Sequence, residues 1–210
     1  MRVLGHRGSR RPGPENTPLA VVAALDAGAD GVEVDVRRGP GGGLVVCHDP
    51  LPAAQTGGPA RPAVVEVLAA ARGRGSVVLE VKADREPDVA AVVRDLAALL
   101  DPADDVVVSS FDPAAVAAAR GLGLRTGLLT GLRVGVATGL AQAVAGGHPE
   151  LHAHLASVRL DRHAGRRCRD AGVELVTWTL SRPAGAPRLA AAGVDAVIAD
   201  DPAAVVAILR

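Results

Sequence analysis

The sequence predicts a single (β/α)8 TIM barrel with a much-reduced insertion after strand 2, formed by residues 1–210 as one domain. Three observations lead to this prediction. Short valine-rich runs alternate along the chain with Ala- and Leu-rich segments of helical length, which is typical of parallel βαβ units. The length of 210 residues accommodates eight such units at the small end of the barrel range. An open doubly wound sheet would normally carry a glycine-rich nucleotide turn after its first strand, and Gly5-His6-Arg7-Gly8 is not one.

Each predicted strand is a short apolar run bounded by turn residues. The predicted strands are Val3–His6, Gly31–Val36 (with an extension at Leu44–His48), Val77–Ala83, Val106–Phe111, Arg125–Thr130, Leu155–Asp161, Glu174–Leu180 and Val194–Asp200. The predicted helices are Pro18–Ala27, Val64–Arg72, Glu86–Leu100, Pro113–Arg120, Val134–Ala145, Ala164–Ala171, Pro183–Ala192 and Pro202–Leu209. Thr17, Asp112 and Asp201 each precede a proline, which is the pattern of an N-cap before the first helical residue. Pro50 to Pro62, rich in Pro and Gly, predicts a loop.

Composition and charge exclude several classes of function. Lys+Arg and Asp+Glu both total 23, so no net charge steers nucleic acid, and we expect no nucleic-acid partner. Aromatic residues make up only 1% of the chain, and the longest weakly charged stretch is too short for a bilayer, so we expect no stable membrane insertion. The two cysteines, Cys47 and Cys168, predict reduced thiols, and Met1 enters a strand pattern directly; both indicate a cytoplasmic protein. The oligomeric state is left open.

Charged residues occupy alternate positions in two of the predicted strands. Side chains two residues apart share a face, so Glu33 and Asp35 point the same way, as do Glu80 and Lys82. In a barrel the intervening valines pack under the helices, which leaves the charged set facing inward. Three carboxylates from two neighbouring strands offer hard oxygen ligands suited to Mg²⁺ or Ca²⁺. The alternative is a salt-bridge network at the barrel mouth without a metal ion.

Two histidines end strand-like segments, where barrel enzymes place their chemistry. His6 closes the first strand and His48 follows Val46-Cys47. Imidazole titrates near neutral pH, so such a pair can protonate a leaving alkoxide and deprotonate a nucleophile. Arg7 and Lys82 are candidate partners for the non-bridging oxygens of a small-molecule phosphodiester substrate, or else for nearby carboxylates.

These residues together resemble the signature of the glycerophosphodiester phosphodiesterase family. The resemblance is carried by His6-Arg7-Gly8, Pro14-Glu15-Asn16-Thr17, Gly28-Ala29-Asp30-Gly31-Val32-Glu33-Val34-Asp35-Val36, Val45-Val46-Cys47-His48-Asp49, Leu79-Glu80-Val81-Lys82, Ser109-Ser110-Phe111, Val176-Thr177-Trp178-Thr179-Leu180 and Gly193-Val194-Asp195-Ala196-Val197-Ile198-Ala199-Asp200. It implies a (β/α)8 barrel that hydrolyses glycerophosphodiesters to sn-glycerol 3-phosphate and an alcohol.

The resemblance also implies roles for individual residues. His6 and His48 would form the acid–base pair, with the assignment of acid and base left open. The divalent cation, Mg²⁺ or Ca²⁺, would be bound by Glu33, Asp35 and Glu80. The phosphate would be held by Arg7 and Lys82. Trp178 would line the substrate pocket, or else be a core indole on strand seven.

The sequence departs from the family in one segment. Members usually carry an inserted cap after the His-Asp pair, often opening with an Arg-Thr-Thr-like run, whereas Gln55-Thr56-Gly57-Gly58 stands there in this chain. Only 31 positions separate Asp49 from Glu80, which predicts a more open mouth and leaves the alcohol moiety undetermined.

Other hypotheses remain open. They are a lysophospholipase-D-like activity on larger diesters, a non-catalytic phosphodiester-binding barrel, and a lyase or isomerase with Lys82 as Schiff-base nucleophile. The spacing of His148, His152 and His154 resembles a second metal site, but no Cys or carboxylate pattern completes one, so we predict a solvent-facing loop and helix end there.

Overall fold

Valine-rich strands form the centre of the molecule in the computed structural model, which describes residues 1–10, 13–51, 61–83 and 88–210. The strands are β1 (Arg2–His6), β2 (Gly31–Arg38), β3 (Leu44–Val46), β4 (Ser76–Val81), β5 (Val106–Ser110), β6 (Arg125–Thr130), β7 (Glu150–His154), β8 (Glu174–Leu180) and β9 (Ala196–Ala199). Within the described ranges, eight of them pair in parallel in the order β1-β9-β8-β7-β6-β5-β4-β2, and β1 also pairs with β2. The sheet therefore closes into a barrel, as predicted.

Helices lie between the parallel strands and cover the outside of the barrel. They are α1 (Pro18–Asp26), α2 (Val64–Ala71), α3 (Val89–Leu99), α4 (Pro113–Gly121), α5 (Val136–Gly146), α6 (Leu155–Leu160), α7 (Ala164–Asp170), α8 (Ala186–Ala191) and α9 (Pro202–Leu209), with a 3-10 turn at Pro183–Gly185. The side chains of Thr17, Asp112 and Asp201 each accept a hydrogen bond from a backbone N–H in the first turn of the following helix. The three predicted N-caps are thus confirmed.

The chain between β2 and α2 adds a short antiparallel strand to the barrel rim. The predicted extension at Leu44–His48 is a separate strand, β3, whose Val46 pairs with Val36 of β2. Cys47 and His48 follow β3, and this hairpin returns the chain alongside β2, where the N–H of Cys47 donates to the carbonyl of Asp35. The residues Gln55 to Gly58 of the shortened cap and Glu86 at the predicted start of the third helix lie outside the described ranges.

The predicted strand Leu155–Asp161 is wrong. Leu155–Leu160 forms helix α6, and the seventh barrel strand is the preceding segment, Glu150–His154. In that strand Leu151 and Ala153 face the helices, while Glu150 and His152 are buried on the barrel side. This strand was not predicted because its inward residues are polar and it lacks the valines that mark most of the other strands.

The barrel interior is layered. Its middle is apolar and contains side chains from five strands, namely Leu4, Val78, Val107, Val176, Ala196 and Ile198. Charged side chains lie at both ends of this layer. Parallel strands place their C-terminal ends together at one rim, where His6, Asp35 and Glu80 lie. The fold therefore brings the predicted site residues of different strands to a single opening.

Candidate active site

Three carboxylates converge at the C-terminal rim of the barrel. Glu33 and Asp35 lie on β2 and Glu80 on β4, and the parallel register places Asp35 opposite Glu80. Each of the three offers an oxygen that lies within 4.8 Å of the others, and all three residues are buried. The sequence prediction that the three share one site is met by this geometry.

The proximity of these carboxylates shifts their pKa values. Burial, together with the charges of Asp35 and Glu80, raises the pKa of Glu33 well above its usual range. The pKa of Glu80 is also raised, by burial and by the charge of Asp35. Burial alone would raise the pKa of Asp35 as well, but the ammonium of Lys82 and a hydrogen bond from Asn16 lower it. Only one of the three carboxylates is therefore well stabilised in its charged form by the protein's own groups.

The basic residues Lys82 and Arg7 both contact Asp35. Lys82 Nζ lies 2.8 Å from Asp35 Oδ1 and also contacts Glu80 Oε1. The Nε atom of Arg7 lies 3.1 Å from Asp35 Oδ2, while its Nη1 pairs with Glu15. Both cations thus have carboxylate partners, as the alternative in the sequence interpretation proposed.

Glu33 is the least satisfied member of the cluster. Its Oε2 accepts a hydrogen bond of 3.1 Å from the backbone N–H of Arg7. Its Oε1 is buried and has no hydrogen-bond partner among the described residues. A buried carboxylate oxygen without a partner is costly, and a divalent cation bound by the three acids would relieve that cost. The donor set therefore fits a hard divalent cation.

Asn16 is a site residue to which the sequence interpretation gave no role. Its Nδ2 donates to Asp35 Oδ2 at 2.8 Å, and its Oδ1 accepts from the backbone N–H of Asp35 at 3.2 Å. The residue is buried and adopts φ 59°, in the left-handed region that Asn tolerates better than most side chains. The only indication of this role in the sequence was its position beside Glu15 in a segment that resembles the family.

His6, at the end of β1, is held by a carboxylate from the last strand of the barrel. Its Nδ1 lies 2.7 Å from Asp200 Oδ1, and Ser181 Oγ donates to Asp200 Oδ2 at 2.7 Å. Burial lowers the pKa of His6, and the hydrogen bond with Asp200 opposes that effect. A carboxylate only accepts, so this contact places the imidazole proton on Nδ1 and leaves the Nε2 lone pair available. Asp200 lies at the end of a predicted strand, but no pattern in the sequence indicates its contact with His6.

His48 is arranged similarly but is more open to solvent. Its side chain is 44% exposed, and its Nδ1 lies 2.8 Å from Asp49 Oδ1. The guanidinium of Arg37, on β2, donates two hydrogen bonds to the backbone carbonyl of His48, at 2.9 and 2.7 Å. These contacts fix the backbone of His48 while its imidazole lies at the surface of a cavity.

Two cavities at the rim are lined by six of the eight predicted site residues, whereas Arg7 and Asp35 line neither. A cavity of about 630 Å³ is lined by Arg37, His48, Glu80, Lys82 and Phe111, among others. A second, small cavity of about 20 Å³ is lined by His6, Glu33, Glu80 and Trp178 together with barrel residues below them. Glu80 lines both. The acidic cluster and the two histidines thus lie at one rim, with His48 and His6 lining different cavities; their joint action on one substrate stays a prediction.

Trp178 lies on β8 and faces this rim. It is half-buried, and its Nε1 donates to the carbonyl of His152 at 3.1 Å. Its ring makes edge-on contacts with Phe111 at 5.3 Å and with His154 at 5.2 Å. It therefore lines the small cavity and also packs against the apolar interior, and its contact with substrate stays a prediction.

The prediction of a solvent-facing segment at His148, His152 and His154 is wrong. His148 and His152 are buried, and His154 accepts a hydrogen bond from the N–H of Ala156 as the N-cap of α6. His152 fills the barrel interior over Gly127, where a Cβ would lie only 2.4 Å from its Nε2. None of these histidines belongs to the one possible metal-binding group found among the described residues.

The family of the chain follows from comparison with known proteins. The pattern that defines the glycerophosphoryl diester phosphodiesterase family matches residues 6–69 and 74–204. A glycerophosphodiester phosphodiesterase of Caldanaerobacter subterraneus subsp. tengcongensis is 26% identical, over 99% of this chain and 97% of the relative.

Two solved structures show the same fold. A Thermotoga maritima glycerophosphodiester phosphodiesterase superposes with a TM-score of 0.74 at 25% identity, covering 99% of this chain and 97% of that one. An Oleispira antarctica phosphodiesterase, solved with the product sn-glycerol-3-phosphate, superposes with a TM-score of 0.83 at 22% identity, covering 99% and 96%. With the family pattern matched over nearly the whole chain, the protein belongs to the glycerophosphoryl diester phosphodiesterase family and is a phosphodiesterase of the hydrolase class.

Proposed function

We propose that the protein hydrolyses glycerophosphodiesters to sn-glycerol 3-phosphate and an alcohol, in a reaction that depends on a divalent cation and on His6 and His48. The observation that carries the proposal is the under-neutralised cluster of Glu33, Asp35 and Glu80, buried at a rim that also carries both histidines. The product bound to the Oleispira antarctica relative supports the choice of substrate.

Glu33, Asp35 and Glu80 would hold the cation, either Mg²⁺ or Ca²⁺. When bound, the cation would supply positive charge to the phosphoryl oxygens and so lower the barrier for attack on an anion. Asn16 and Lys82 already orient the carboxylate of Asp35 from two sides, so the ligand set is preorganised by the protein.

Arg7 and Lys82 would bind the non-bridging oxygens of the phosphate. Both side chains are mostly buried at the cluster, and their carboxylate partners raise their pKa values although burial alone would lower them. They therefore remain cationic at neutral pH. A fixed pair of cations beside the reacting group stabilises the charge that develops in the transition state.

His6 and His48 would carry the proton transfers. Each has a carboxylate on Nδ1, Asp200 for His6 and Asp49 for His48, and each is thereby left with Nε2 for the reaction. One imidazole takes a proton from the nucleophile, either water or a substrate hydroxyl, and the other protonates the departing oxygen. The two histidines come from separate parts of the rim: His6 ends β1, and His48 lies in the connection after β3.

The contacts of Lys82 count against the hypothesis of a lyase or isomerase. A Schiff-base lysine needs a depressed pKa, whereas Asp35 and Glu80 raise that of Lys82 despite its burial. Larger diesters, as in a lysophospholipase-D-like reaction, are a second candidate class. An apolar cavity of about 360 Å³, lined by Phe111, Leu128, Leu129 and Val134, shares Phe111 with the cavity at the mouth and offers space for an apolar alcohol.

The test is hydrolysis of several glycerophosphodiesters, a lysophospholipid and bis(p-nitrophenyl) phosphate by the purified protein, with and without EDTA. We expect glycerol 3-phosphate to be released, activity to be lost in EDTA, and Mg²⁺ or Ca²⁺ to restore it. Tight binding of glycerophosphodiesters without any release of glycerol phosphate would establish a non-catalytic barrel instead.

A further inference from the structure

Positive charge is concentrated in one segment of the neutral chain. Residues 155–192 contain seven arginines but only three acidic residues, although Lys+Arg and Asp+Glu are equal over the whole sequence. Two of the three acids already have partners: Asp161 pairs with Arg167 at 3.3 Å, and Glu174 pairs with Arg2 and Arg125. The segment therefore presents uncompensated positive charge.

Much of this charge surrounds a single groove on the outside of the barrel. The groove has a volume of about 760 Å³, lies between the α6–α7 connection and α8, and is lined by four exposed arginines, Arg159, Arg162, Arg182 and Arg188. In the part of the chain that the structure describes, none of these four guanidinium groups forms an ion pair with a carboxylate; Arg162 instead donates to the ring of His163. We call this feature the arginine groove.

The arginine groove reaches the rim that carries the candidate active site but is separate from it. Arg182 follows β8 by two residues, and Ser181 before it donates to Asp200. None of the groove residues is one of the eight predicted site residues. The carboxylate cluster therefore does not neutralise the groove, and the positive charge of the groove is left for another anionic group.

Exposed apolar side chains lie beside the groove and on the connections that follow neighbouring barrel strands. Leu160, between the groove residues Arg159 and Asp161, is 88% exposed, and Leu132, in the connection after β6, is 63% exposed. Phe111, in the connection after β5 and at the catalytic mouth, is 46% exposed. Large apolar side chains on successive rim connections, next to unpaired arginines, are the two components of a surface that binds at a lipid–water interface.

We propose that the arginine groove and the rim residues Leu132 and Leu160 bind the surface of an anionic phospholipid bilayer. Guanidinium groups match phosphate oxygens in bidentate geometry, so the groove would receive phospholipid headgroups. The two leucines would enter the boundary of the acyl chains, and the active-site mouth would then face the membrane. Nucleic acid is disfavoured as the partner, because the groove offers no aromatic side chain on which bases could stack.

This surface is a peripheral one. None of the helices formed by the described residues is long and apolar enough to cross a bilayer. Binding through headgroup charge is weakened by salt, because the interaction decays within a Debye length. Reversible, salt-sensitive association is thus the behaviour that the proposal requires.

The experiment is co-sedimentation of the full chain with extruded vesicles of phosphatidylcholine alone or containing about 30 mol% phosphatidylglycerol, at low and high NaCl concentration. We expect binding to the anionic vesicles only, and its loss at high salt. The double variant Arg159→Glu/Arg182→Glu should lower the partition coefficient by roughly 30-fold or more, at about 5-fold for each basic residue removed. Leu132→Asp/Leu160→Asp should also weaken binding, because it removes the apolar contribution.

A matched control exists at the opposite end of the barrel. Arg120 and Leu122, at the end of α4, are an exposed arginine and an exposed leucine that lie away from the rim. Arg120→Glu/Leu122→Asp should bind vesicles like the wild type. Circular dichroism and a thermal melt show whether each variant is folded. If Arg159→Glu/Arg182→Glu is unfolded, Arg159→Gln/Arg182→Gln replaces it.

Four outcomes of the vesicle experiment would overturn the proposal. They are an absence of binding to anionic vesicles, equal binding to neutral vesicles, an equal loss in the control variant, and displacement from vesicles by millimolar inorganic phosphate, which would make the groove a small-anion site. Tighter, leucine-independent binding of a single-stranded oligonucleotide would assign the groove to nucleic acid and also reject the proposal. Hydrolysis of a water-soluble diester is measured in parallel, so failure of membrane binding is distinguishable from failure of the proposed catalytic function.

Discussion

Charged side chains lie at both ends of the barrel interior, and the two ends differ in how these charges are balanced. At the N-terminal end, Arg2, Arg125, Glu150, His152 and Glu174 form what we call the N-terminal network. Each of the four carboxylate oxygens in that network has a partner, at distances of 2.5 to 2.7 Å. At the C-terminal rim, by contrast, Glu33 Oε1 is buried without a partner in the described chain.

The pKa values follow the same division. Burial alone would raise the pKa of Glu150, but His152 and Arg125 lower it below its usual range. At the rim, burial and neighbouring carboxylates raise the pKa of Glu33. Buried charges that are balanced by their own partners maintain the fold, whereas a cluster that remains unbalanced indicates a site for something the chain does not itself supply. Glu150 and Glu33, two buried glutamates at opposite ends of the barrel, thus serve different purposes.

The largest effect should come from the unbalanced end. Glu80→Gln, or treatment of the wild type with EDTA, should lower kcat/KM for a glycerophosphodiester by about 10³-fold, because the charge that stabilises the transition state is removed. Mg²⁺ or Ca²⁺ should restore the EDTA-treated protein but not the variant. Full activity in EDTA would show that the cluster is a salt-bridge network and that the two ends do not differ in kind.

Substitution of either histidine should have the next largest effect on the rate. His6→Ala and His48→Ala should each lower the rate by about 100-fold with a poor alkoxide leaving group. With bis(p-nitrophenyl) phosphate, whose leaving group needs no proton, only one of the two variants should remain impaired. That variant identifies the base, and the other histidine is then the acid. Full activity of either variant with the alkoxide substrate would remove that histidine from the mechanism.

Substitution of Asp200 should have a smaller effect on the rate, because Asp200 acts by positioning His6. Asp200→Asn should lower the rate by about 10-fold, because the imidazole loses the acceptor that holds its proton on Nδ1. The limb of the pH–rate profile that reports His6 should shift, since a carboxylate favours imidazolium. Unchanged pH dependence together with a lower rate would indicate a purely structural contribution.

The N-terminal network should affect stability and not activity. Glu150→Gln should lower the free energy of unfolding by about 2 kcal/mol, because it breaks a buried pair and leaves Arg125 and His152 underbalanced. The pKa of Glu150 is lowered in the folded state, so its ionised form stabilises the protein above the ordinary Glu pKa and this contribution is lost as pH falls. The difference between wild type and variant in urea denaturation should therefore close on acidification. A difference that widens would contradict the pairing.

Sequence patterns predicted the barrel and the rim because the strands that carry the chemistry are simple. In β2 and β4 a valine separates each pair of charged residues, so alternation alone assigned Glu33, Asp35, Glu80 and Lys82 to one face. The same rule failed for β7, whose inward residues are Glu150 and His152 and whose outward residues are Leu151 and Ala153. Without a partner in view, a buried polar face is indistinguishable from a loop.

The hydrogen-bond partners of the site residues could not be predicted from the sequence. Asn16 contacts a residue 19 positions away, and Asp200 contacts one 194 positions away. Periodicity reports which face of an element a side chain occupies, but not which element lies opposite. Closure of the barrel between β1 and β9 is what brings Asp200 to His6. Such pairings emerge only when the ring of strands is complete.

Chemical denaturation of Glu33→Gln and Glu150→Gln in EDTA tests the contrast between the two ends most directly. We predict opposite signs: Glu33→Gln unfolds at a higher urea concentration than the wild type, since it removes repulsion from Asp35 and Glu80, and Glu150→Gln unfolds at a lower one. Added Ca²⁺ should stabilise the wild type far more than Glu33→Gln. Destabilisation by both substitutions, with no response of the wild type to Ca²⁺ or Mg²⁺, would contradict the account.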